Sequence, residues 1–274
     1  AAFAALGLFP LLARRALAAW RRARVQAPWA AAKPRRFDRN LVVIGAGPAG
    51  LVASYIAAAL QARVTLVERH RMGGDCLNTG CVPSKALITA ARTAQTMREA
   101  ARHGIGAVEP QVDFAAVMAG VRAAVAAIEP HDSVARYTGL GVEVLAGEAT
   151  IVDPWHVRVA LAAGGEQVLA TRAIVIATGA APVIPPLPGL AECAPLTSDT
   201  LWSLTELPRR LLVLGGGPIG CELAQAFARL GAQVMLVEAA PRLLAREDEA
   251  VSTLIAEVLA AEGVQLHLGA TAQR

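Results

Sequence analysis

The residues richest in chemistry lie in one stretch, Gly73-Gly74-Asp75-Cys76-Leu77-Asn78-Thr79-Gly80-Cys81-Val82-Pro83-Ser84-Lys85. Two cysteines spaced C-x-x-x-x-C can cycle between a dithiol and a disulfide and so carry two electrons. A zinc site would call for C-x-x-C knuckles or companion histidines. The sequence has no second knuckle, and His70 and His103 sit at no ligand-like interval. Two buried structural cysteines are the blander alternative. Geometry favours a disulfide that is easy to reduce. Residues five apart in a helix lie about 8 Å apart, whereas disulfide-bonded Cα atoms are rarely beyond about 7 Å. The bridge must therefore sit on an irregular turn, with Asn78, Thr79 and Gly80 supplying non-helical dihedrals. Cys81 is expected near the start of a helix running to about Ala101, with Pro83 in its first turn. The helix dipole there would lower a thiol pKa.

Two further constellations must work with that pair. Leu41-Val42-Val43-Ile44 reads as a buried strand and runs into Gly45-Ala46-Gly47-Pro48-Ala49-Gly50, an alanine-rich helix to about Leu60, and a second strand, Val64–Val67, ending on Glu68. This is strand, G-x-G-x-x-G, helix, strand, acid. Gly45 permits a tight turn, Gly47 lets a pyrophosphate approach the backbone, and Gly50 lets helix and strand pack closely. The helix N-terminus faces the phosphates, and the acid takes ribose hydroxyls. One such unit alone is a weak signal. The unit recurs, however, as strand Leu211–Leu214, Gly215-Gly216-Gly217-Pro218-Ile219-Gly220, a helix to about Leu230, and strand Val234–Val237 ending on Glu238. Gly45 to Glu68 and Gly215 to Glu238 span the same interval, so two dinucleotide sites are expected.

The fold class that follows is α/β, with two Rossmann-like dinucleotide-binding domains, C-terminally truncated. Residues 39–182 form the first domain and 190–274 the second, incomplete one. The proline-rich run from Pro182 to Gly189 reads as the crossing between them. Ala173–Ala177 reads as a buried strand ending in a small-residue turn at Thr178-Gly179. Asp113–Ile128 reads as a helix, and Val157–Leu161 with Gln167–Ala170 as a hairpin about Gly164-Gly165. The chain starts without methionine and stops just after a strand, so it is expected to be a piece of a longer protein.

Residues 1–38 are a basic N-terminal segment and linker. The chain carries +4 overall, but residues 1–40 hold nine Arg or Lys against Asp38 alone, leaving residues 41–274 at −4. A mildly acidic folded part without basic, aromatic-interleaved strands argues against nucleic acid as a partner. Residues 1–13 are apolar with arginines after them, the reverse of a secretory signal, and are too few to span a bilayer. They are expected to end a transmembrane helix with its positive flank inside. An amphipathic helix with Leu6, Leu12 and Trp20 on one side is the alternative. Four cysteines are too sparse for a secreted scaffold and fit a cytoplasmic enzyme, tethered to the inner face of the cell membrane if the membrane reading holds.

The string GGDCLNTGCVPSK, with IGAGPAG before it and ATG and GGGPIGCE after it, resembles the pyridine nucleotide-disulfide oxidoreductases. These include glutathione reductase, dihydrolipoamide dehydrogenase and mercuric reductase; the look is closest to mercuric-reductase-like bacterial flavoproteins. The resemblance runs from about Asn40 to Arg274. It implies that Gly45, Gly47, Gly50 and Glu68 bind FAD, with Gly73, Gly74, Lys85, Thr178 and Gly179 lining the same cofactor and an adenine-side backbone contact near Ala149. It implies that Gly215, Gly217, Gly220 and Glu238 hold NAD(P)H, and that Glu222 pairs with Lys85 beside the flavin. Without it, Lys85 and Glu222 are ordinary helix-surface residues. The implied sequence of events passes hydride from NAD(P)H to the flavin and electrons on to the disulfide at Cys81, freeing Cys76 to attack a small disulfide or a metal-thiolate.

The family also ends in a dimerisation domain with a His-Glu pair that serves the partner's cysteines. None of His70, His103, His131, His156 or His267 lies in such a context, so a homodimer is expected only for the full-length protein. Glu238 favours NADH over NADPH by repelling a 2′-phosphate, an effect that Arg242, Arg246 or both would partly offset. The competing readings are a dihydrolipoamide dehydrogenase-like enzyme and a non-catalytic flavin redox-sensing module attached to a membrane domain.

Overall fold

The computed structural model describes residues 2–273, with side chains described from residue 13. In chain order the elements begin with α1 (Ala2–Gln26), β1 (Arg39–Ile44), α2 (Pro48–Ala59), β2 (Val64–Glu68), α3 (Gly74–Asn78), α4 (Cys81–Arg98), α5 (Phe114–Ile128) and α6 (Val134–Gly139). Three strands follow, β3 (Val142–Asp153), β4 (His156–Leu161) and β5 (Glu166–Ile176), and then β6 (Arg210–Leu214), α7 (Pro218–Arg229), β7 (Gln233–Glu238), α8 (Glu249–Ala261) and β8 (Gln265–Leu268). They form two compact units. One comprises residues 1–72 and 134–178, the other residues 73–133 and 179–274. The helical segment 73–133, continuous in sequence with the first nucleotide unit, thus packs with the second.

In the first unit a parallel sheet has the order β3-β2-β1-β5. The β-branched run of β1 has no solvent-facing side because both faces are covered. Val43 joins Leu51 and Ala58 of α2 and Leu66 of β2 under the helix. Val42, Ile44 and Val67 point the other way, onto Val157, Val159 and Leu169. That second cover exists because β3 and β5 outrun the parallel sheet and pair antiparallel with β4, closing the strand pairing into a ring. The expected hairpin is present, but its second arm continues without a break into the strand ending at Ile176. At the strand starts the Arg39 guanidinium bonds Thr65 Oγ1 at 2.6 Å and Glu143 at 2.6 Å, tying β1, β2 and β3.

The corner between β3 and β4 rests on Asp153, one of whose oxygens accepts from the N–H groups of Trp155 and His156 at 2.8 and 2.9 Å. The other lies 2.7 Å from His156 Nδ1. Burial pushes this carboxyl up, but those hydrogen bonds outweigh it and hold its pKa below the usual aspartate value. A depressed native pKa stabilises the fold above the unfolded pKa, and that contribution is lost as pH falls through the native value. Asp153→Ala is expected to cost about 1–3 kcal/mol near neutral pH. The gap from wild type should shrink below about pH 4, which urea midpoints measured at both pH values will check.

In the second unit β6-β7-β8 is again parallel. Helix α7 packs beneath it, and α4 and α5 pack on α7. Leu87 and Ala91 of α4 share one core with Phe114, Met118 and Val121 of α5 and with Cys221, Ala224 and Phe227 of α7. The Phe114 and Phe227 rings lie 6.0 Å apart. Asp113 caps α5 by accepting from the Ala116 N–H at 3.0 Å. Arg98, at the end of α4, donates to the Arg229 carbonyl at 2.7 Å. The opposite sheet face differs from that of the first unit: Leu212, the repeat counterpart of the fully buried Val42, is 55% exposed.

The N-terminal residues form the single helix α1, followed by a short 3-10 turn over Ala27–Ala32. The expectation that residues 1–13 end a membrane helix falls mainly on side chains outside the described residues. Among the described residues, no helix is long and apolar enough to cross a membrane.

Candidate functional site

Both nucleotide cradles are built by the same local rule. A Cβ at Gly50 would fall 1.8 Å from the Gly45 carbonyl oxygen, and one at Gly220 would fall 2.0 Å from that of Gly215. Glycine at those positions therefore sets how closely α2 and α7 approach the strands that precede them. Gly45 adopts φ +100° and Gly215 φ +108°. Gly47 and Gly217 are the extended N-caps of α2 and α7, each followed by proline, which has no N–H to leave unsatisfied.

The two acids repeat the same contact. Glu68 accepts from the Ala46 N–H at 2.6 Å and the His70 N–H at 2.7 Å. Glu238 accepts from the Gly216 N–H at 2.6 Å and the Ala240 N–H at 2.7 Å. Each carboxylate is fixed beside its glycine loop and retains lone pairs for further donors. A Cβ at Gly217 would meet nothing within 4 Å, so the chain leaves open the space at the start of α7 that a pyrophosphate would take. The loops, helix starts and acids fit two dinucleotides.

The second cradle is clamped by residues that its motif does not reveal. A Cβ at Gly216 would lie 2.5 Å from Leu243 Cδ2, where the first copy tolerates Ala46. The Gly216 carbonyl accepts from the Leu244 N–H at 2.9 Å and from the buried Cys221 thiol at 3.4 Å. Burial, then Glu238 and Glu222, push the Cys221 thiol pKa up. Leu244 reaches this position at φ +48°. Arg242 does not extend freely towards Glu238; it bonds the carbonyls of Glu247 and Ala245 at 2.9 and 2.8 Å.

The cysteines occupy the joint between α3 and α4. Cys76 is half-buried in α3, and Cys81 is the exposed first residue of α4. Between them Thr79 has φ −140°, ψ −2°, and Gly80 has φ −119°, ψ −107°, the non-helical turn expected from the spacing. Helix α4 ends at Arg98, slightly short of the expected Ala101. Gly73 caps α3 at φ +84° with Leu77 packed over it, so a Cβ there would lie 2.5 Å from that side chain. Gly74 follows at φ +52°.

Both cysteines are free thiols, and Cys81 acts on the Cys76 thiol across the turn. Burial, then the hydrogen bond and charge of Cys81, push the Cys76 thiol up to about 11; Asp132 adds to this and Lys85 opposes it. Lys85 is exposed on α4 one turn beyond Cys81, and Glu222 is exposed on α7. Although α4 packs on α7, no ion pair joins Lys85 to Glu222 among the described residues. Ala149 lies in β3 opposite Val159 of β4. Thr178 is exposed at the end of the first unit, and Gly179, at φ +65°, begins the later segment of the second. A Cβ at Gly179 would face Asp75 Oδ2 at 3.6 Å.

Residues 39–274 match the pyridine nucleotide-disulphide oxidoreductase family. The chain is 41% identical over 234 residues to the mercuric reductase of Streptomyces lividans, covering 83% of this chain and 48% of that protein. It is 37% identical over 241 residues to the dihydrolipoyl dehydrogenase of Pseudomonas aeruginosa, covering 84% and 50%. Its fold resembles the HOCl-induced flavoprotein disulfide reductase RclA from Escherichia coli with TM-score 0.70 and 31% identity, over 86% of this chain and 50% of that one. The chain spans about half the length of these relatives. It belongs to the pyridine nucleotide-disulphide oxidoreductase family.

Proposed function

We propose that the chain is the nucleotide-binding and redox portion of an FAD-dependent NAD(P)H:disulfide or metal-ion oxidoreductase, mercuric-reductase-like, working through Cys76 and Cys81. The observation that carries this reading is the α3–α4 joint, where two interacting thiols flank a non-helical turn in a chain that also holds two dinucleotide cradles. Gly45, Gly47, Gly50 and Glu68 would hold FAD, with Gly73, Gly74, Lys85, Ala149, Thr178 and Gly179 along its length. Gly215, Gly217, Gly220 and Glu238 would hold the nicotinamide nucleotide. Functionally, residues 39–182 would serve FAD and 190–274 the nicotinamide, although residues 73–133 pack with the latter. Bound FAD supplies a two-electron carrier able to take hydride from a nicotinamide and reduce a disulfide.

The chain's own residues do the sulfur chemistry. As a thiolate, Cys76 attacks a substrate disulfide, releasing one substrate thiol and leaving a mixed disulfide. Cys81 then attacks Cys76 Sγ, releasing the second thiol and closing the Cys76–Cys81 bond; two electrons and two sulfurs balance. A Cys76 thiol held at about 11 needs a base for this attack. In the homodimer we propose for the whole protein, the partner subunit would supply it.

The test uses the full-length protein loaded with FAD, NAD(P)H, and lipoamide, glutathione disulfide or mercuric ion presented as its bis-thiolate. Acceptor-dependent NAD(P)H oxidation that needs both cysteines supports the proposal, and no turnover with any acceptor rejects it. Lipoamide as the one good acceptor would favour the dihydrolipoamide dehydrogenase-like reading, for which the Pseudomonas relative is the support.

We further propose NADH over NADPH. The Glu238 carboxylate is pinned at the nucleotide loop, and Arg242, one candidate to offset its charge, is engaged by backbone carbonyls. Glu238→Ala is expected to weaken NADH about tenfold while leaving NADPH unchanged or improved. KM values for both coenzymes will check this; an unaltered preference removes Glu238 from the selection.

A further inference from the structure

The joint that brings the two thiols together is irregular, and an irregular joint needs an outside restraint. A long-range polar anchor on its backbone comes from Trp202. The indole Nε1–H donates to the Thr79 carbonyl at 2.8 Å, across 123 residues of sequence, and to the Ser198 carbonyl at 2.7 Å. Thr79 is the residue at φ −140° between Cys76 and Cys81.

The anchor is itself braced. Trp202 is half-buried against the core shared by α4, α5 and α7. The preceding turn is closed by the Thr197 N–H donating to Thr200 Oγ1 at 2.9 Å and the Leu201 N–H donating to the Thr197 carbonyl at 3.1 Å. On the other side, Gly80 lies so close to α3 that a Cβ there would be 2.9 Å from the Asp75 carbonyl oxygen. The connection between the sulfurs is therefore held from two directions, by backbone approach at Gly80 and by the indole at Thr79. Only the second can be removed without changing the C-x-x-x-x-C segment itself.

We propose that Trp202 is a positioning residue for the Cys76–Cys81 pair, its indole N–H fixing the Thr79 carbonyl and so keeping the two sulfurs preorganised for disulfide closure. This rests on reading Cys76 and Cys81 as a redox pair. Preorganisation raises the effective concentration of one thiol at the other. Losing the restraint shifts the equilibrium towards the open dithiol. The reaction measured is protein dithiol plus glutathione disulfide giving protein disulfide plus two glutathione thiols, with every sulfur and electron accounted for.

The full-length protein is equilibrated in glutathione redox buffers, quenched by alkylation and digested with trypsin. Cleavage after Arg71 and Lys85 yields one peptide, Met72–Lys85, carrying both cysteines. Its alkylated fraction gives the equilibrium constant without any activity assay. Trp202→Phe is compared with wild type and with Leu207→Ala, which loosens the same core while keeping the indole N–H. Should Trp202→Phe fold poorly, a tryptophan analogue with sulfur in place of the indole N–H is placed at position 202 alone.

Loss of the N–H is expected to lower the disulfide-forming constant about three- to tenfold, with Leu207→Ala within twofold of wild type. Equal constants for wild type and the position-202 variants overturn the proposal. So does an equal fall in Leu207→Ala, which would mark the effect as general loosening. If wild type itself forms no Cys76–Cys81 disulfide, the redox-pair reading fails, and this inference fails with it.

Discussion

Serine in place of either Cys76 or Cys81 is expected to reduce disulfide-reducing turnover of the FAD-loaded, full-length protein by at least about 10³-fold, because each variant removes one of the two sulfurs that must exchange bonds. The two variants should nevertheless behave differently. Cys76 is half-buried in α3 and its thiol is pushed up to about 11, first by burial and then by Cys81. At neutral pH it is almost wholly protonated and attacks slowly unless a base takes its proton. In the Cys81→Ser protein, alkylation of Cys76 should speed up about tenfold per pH unit through the neutral range. Removing Cys81 takes away a hydrogen bond and a charge that raise this thiol, so the break in that profile should fall below 11. Asp132→Asn should lower it further and Lys85→Met should raise it, following the directions in which the two charges act. Cys81, exposed at the start of α4, is the sulfur we assign to the flavin side. Titration with NAD(P)H should give long-wavelength thiolate–flavin absorbance in wild type and Cys76→Ser. A band that survives Cys81→Ser would reverse the two assignments.

The cradles were legible in the sequence because their determinants are local. Turn, helix start, strand and acid lie within one short run, and the repeat of that run removed the ambiguity of a single glycine motif. The equal spacing corresponds to equal hydrogen bonds, from Ala46 to Glu68 and from Gly216 to Glu238. The cysteine turn was legible for the same reason, since a disulfide between residues five apart is incompatible with a regular helix. What escaped the sequence is what depends on distant partners. Strand β3 has a burial pattern with no single period, because its first half lies in a parallel sheet and its second half in an antiparallel one. Helix α4 buries Pro83, Leu87, Ala91 and Ala94 along one stripe. That stripe announces a packed face but not that its partners are α5 and α7, so chain continuity assigned residues 73–133 to the first domain while the packing joins them to the second. Leu243 over Gly216 and Trp202 over Thr79 carry no motif at all. A tryptophan in a turn signals only that its N–H must find an acceptor if buried. Lys85 and Glu222 mark the opposite case, a pair taken from family resemblance between which no ion pair forms among the described residues.

The second large effect separates glycines that serve the fold from one that serves the ligand. At Gly50 and Gly220 an added methyl would meet a backbone carbonyl at 1.8 and 2.0 Å. Backbone cannot rotate away as a side chain can, so α2 or α7 must shift from its strand as a whole. Gly50→Ala and Gly220→Ala are each expected to cost about 2–4 kcal/mol. Gly50→Ala should also release most of the flavin, because the displaced helix start no longer meets the pyrophosphate. Gly217 differs in both respects. Its φ of −75° suits any residue, and a Cβ there meets nothing in the chain. Gly217→Ala should therefore leave the thermal midpoint nearly unchanged, yet weaken the nicotinamide nucleotide at least tenfold by filling the space that the phosphates need. Thermal melts with bound-flavin content, and fluorescence titration with NADH, read the two effects independently. If Gly217→Ala bound NADH as wild type does, the loop before α7 would not be the nucleotide site, however well its geometry fits one. If Gly50→Ala kept both its stability and its flavin, the contact between α2 and β1 would be looser than 1.8 Å allows. The contrast within one G-x-G-x-x-G follows from where each absent side chain would point: inward at the third glycine, against the strand that carries the loop, and outward at the second, into the open space that we assign to the nucleotide.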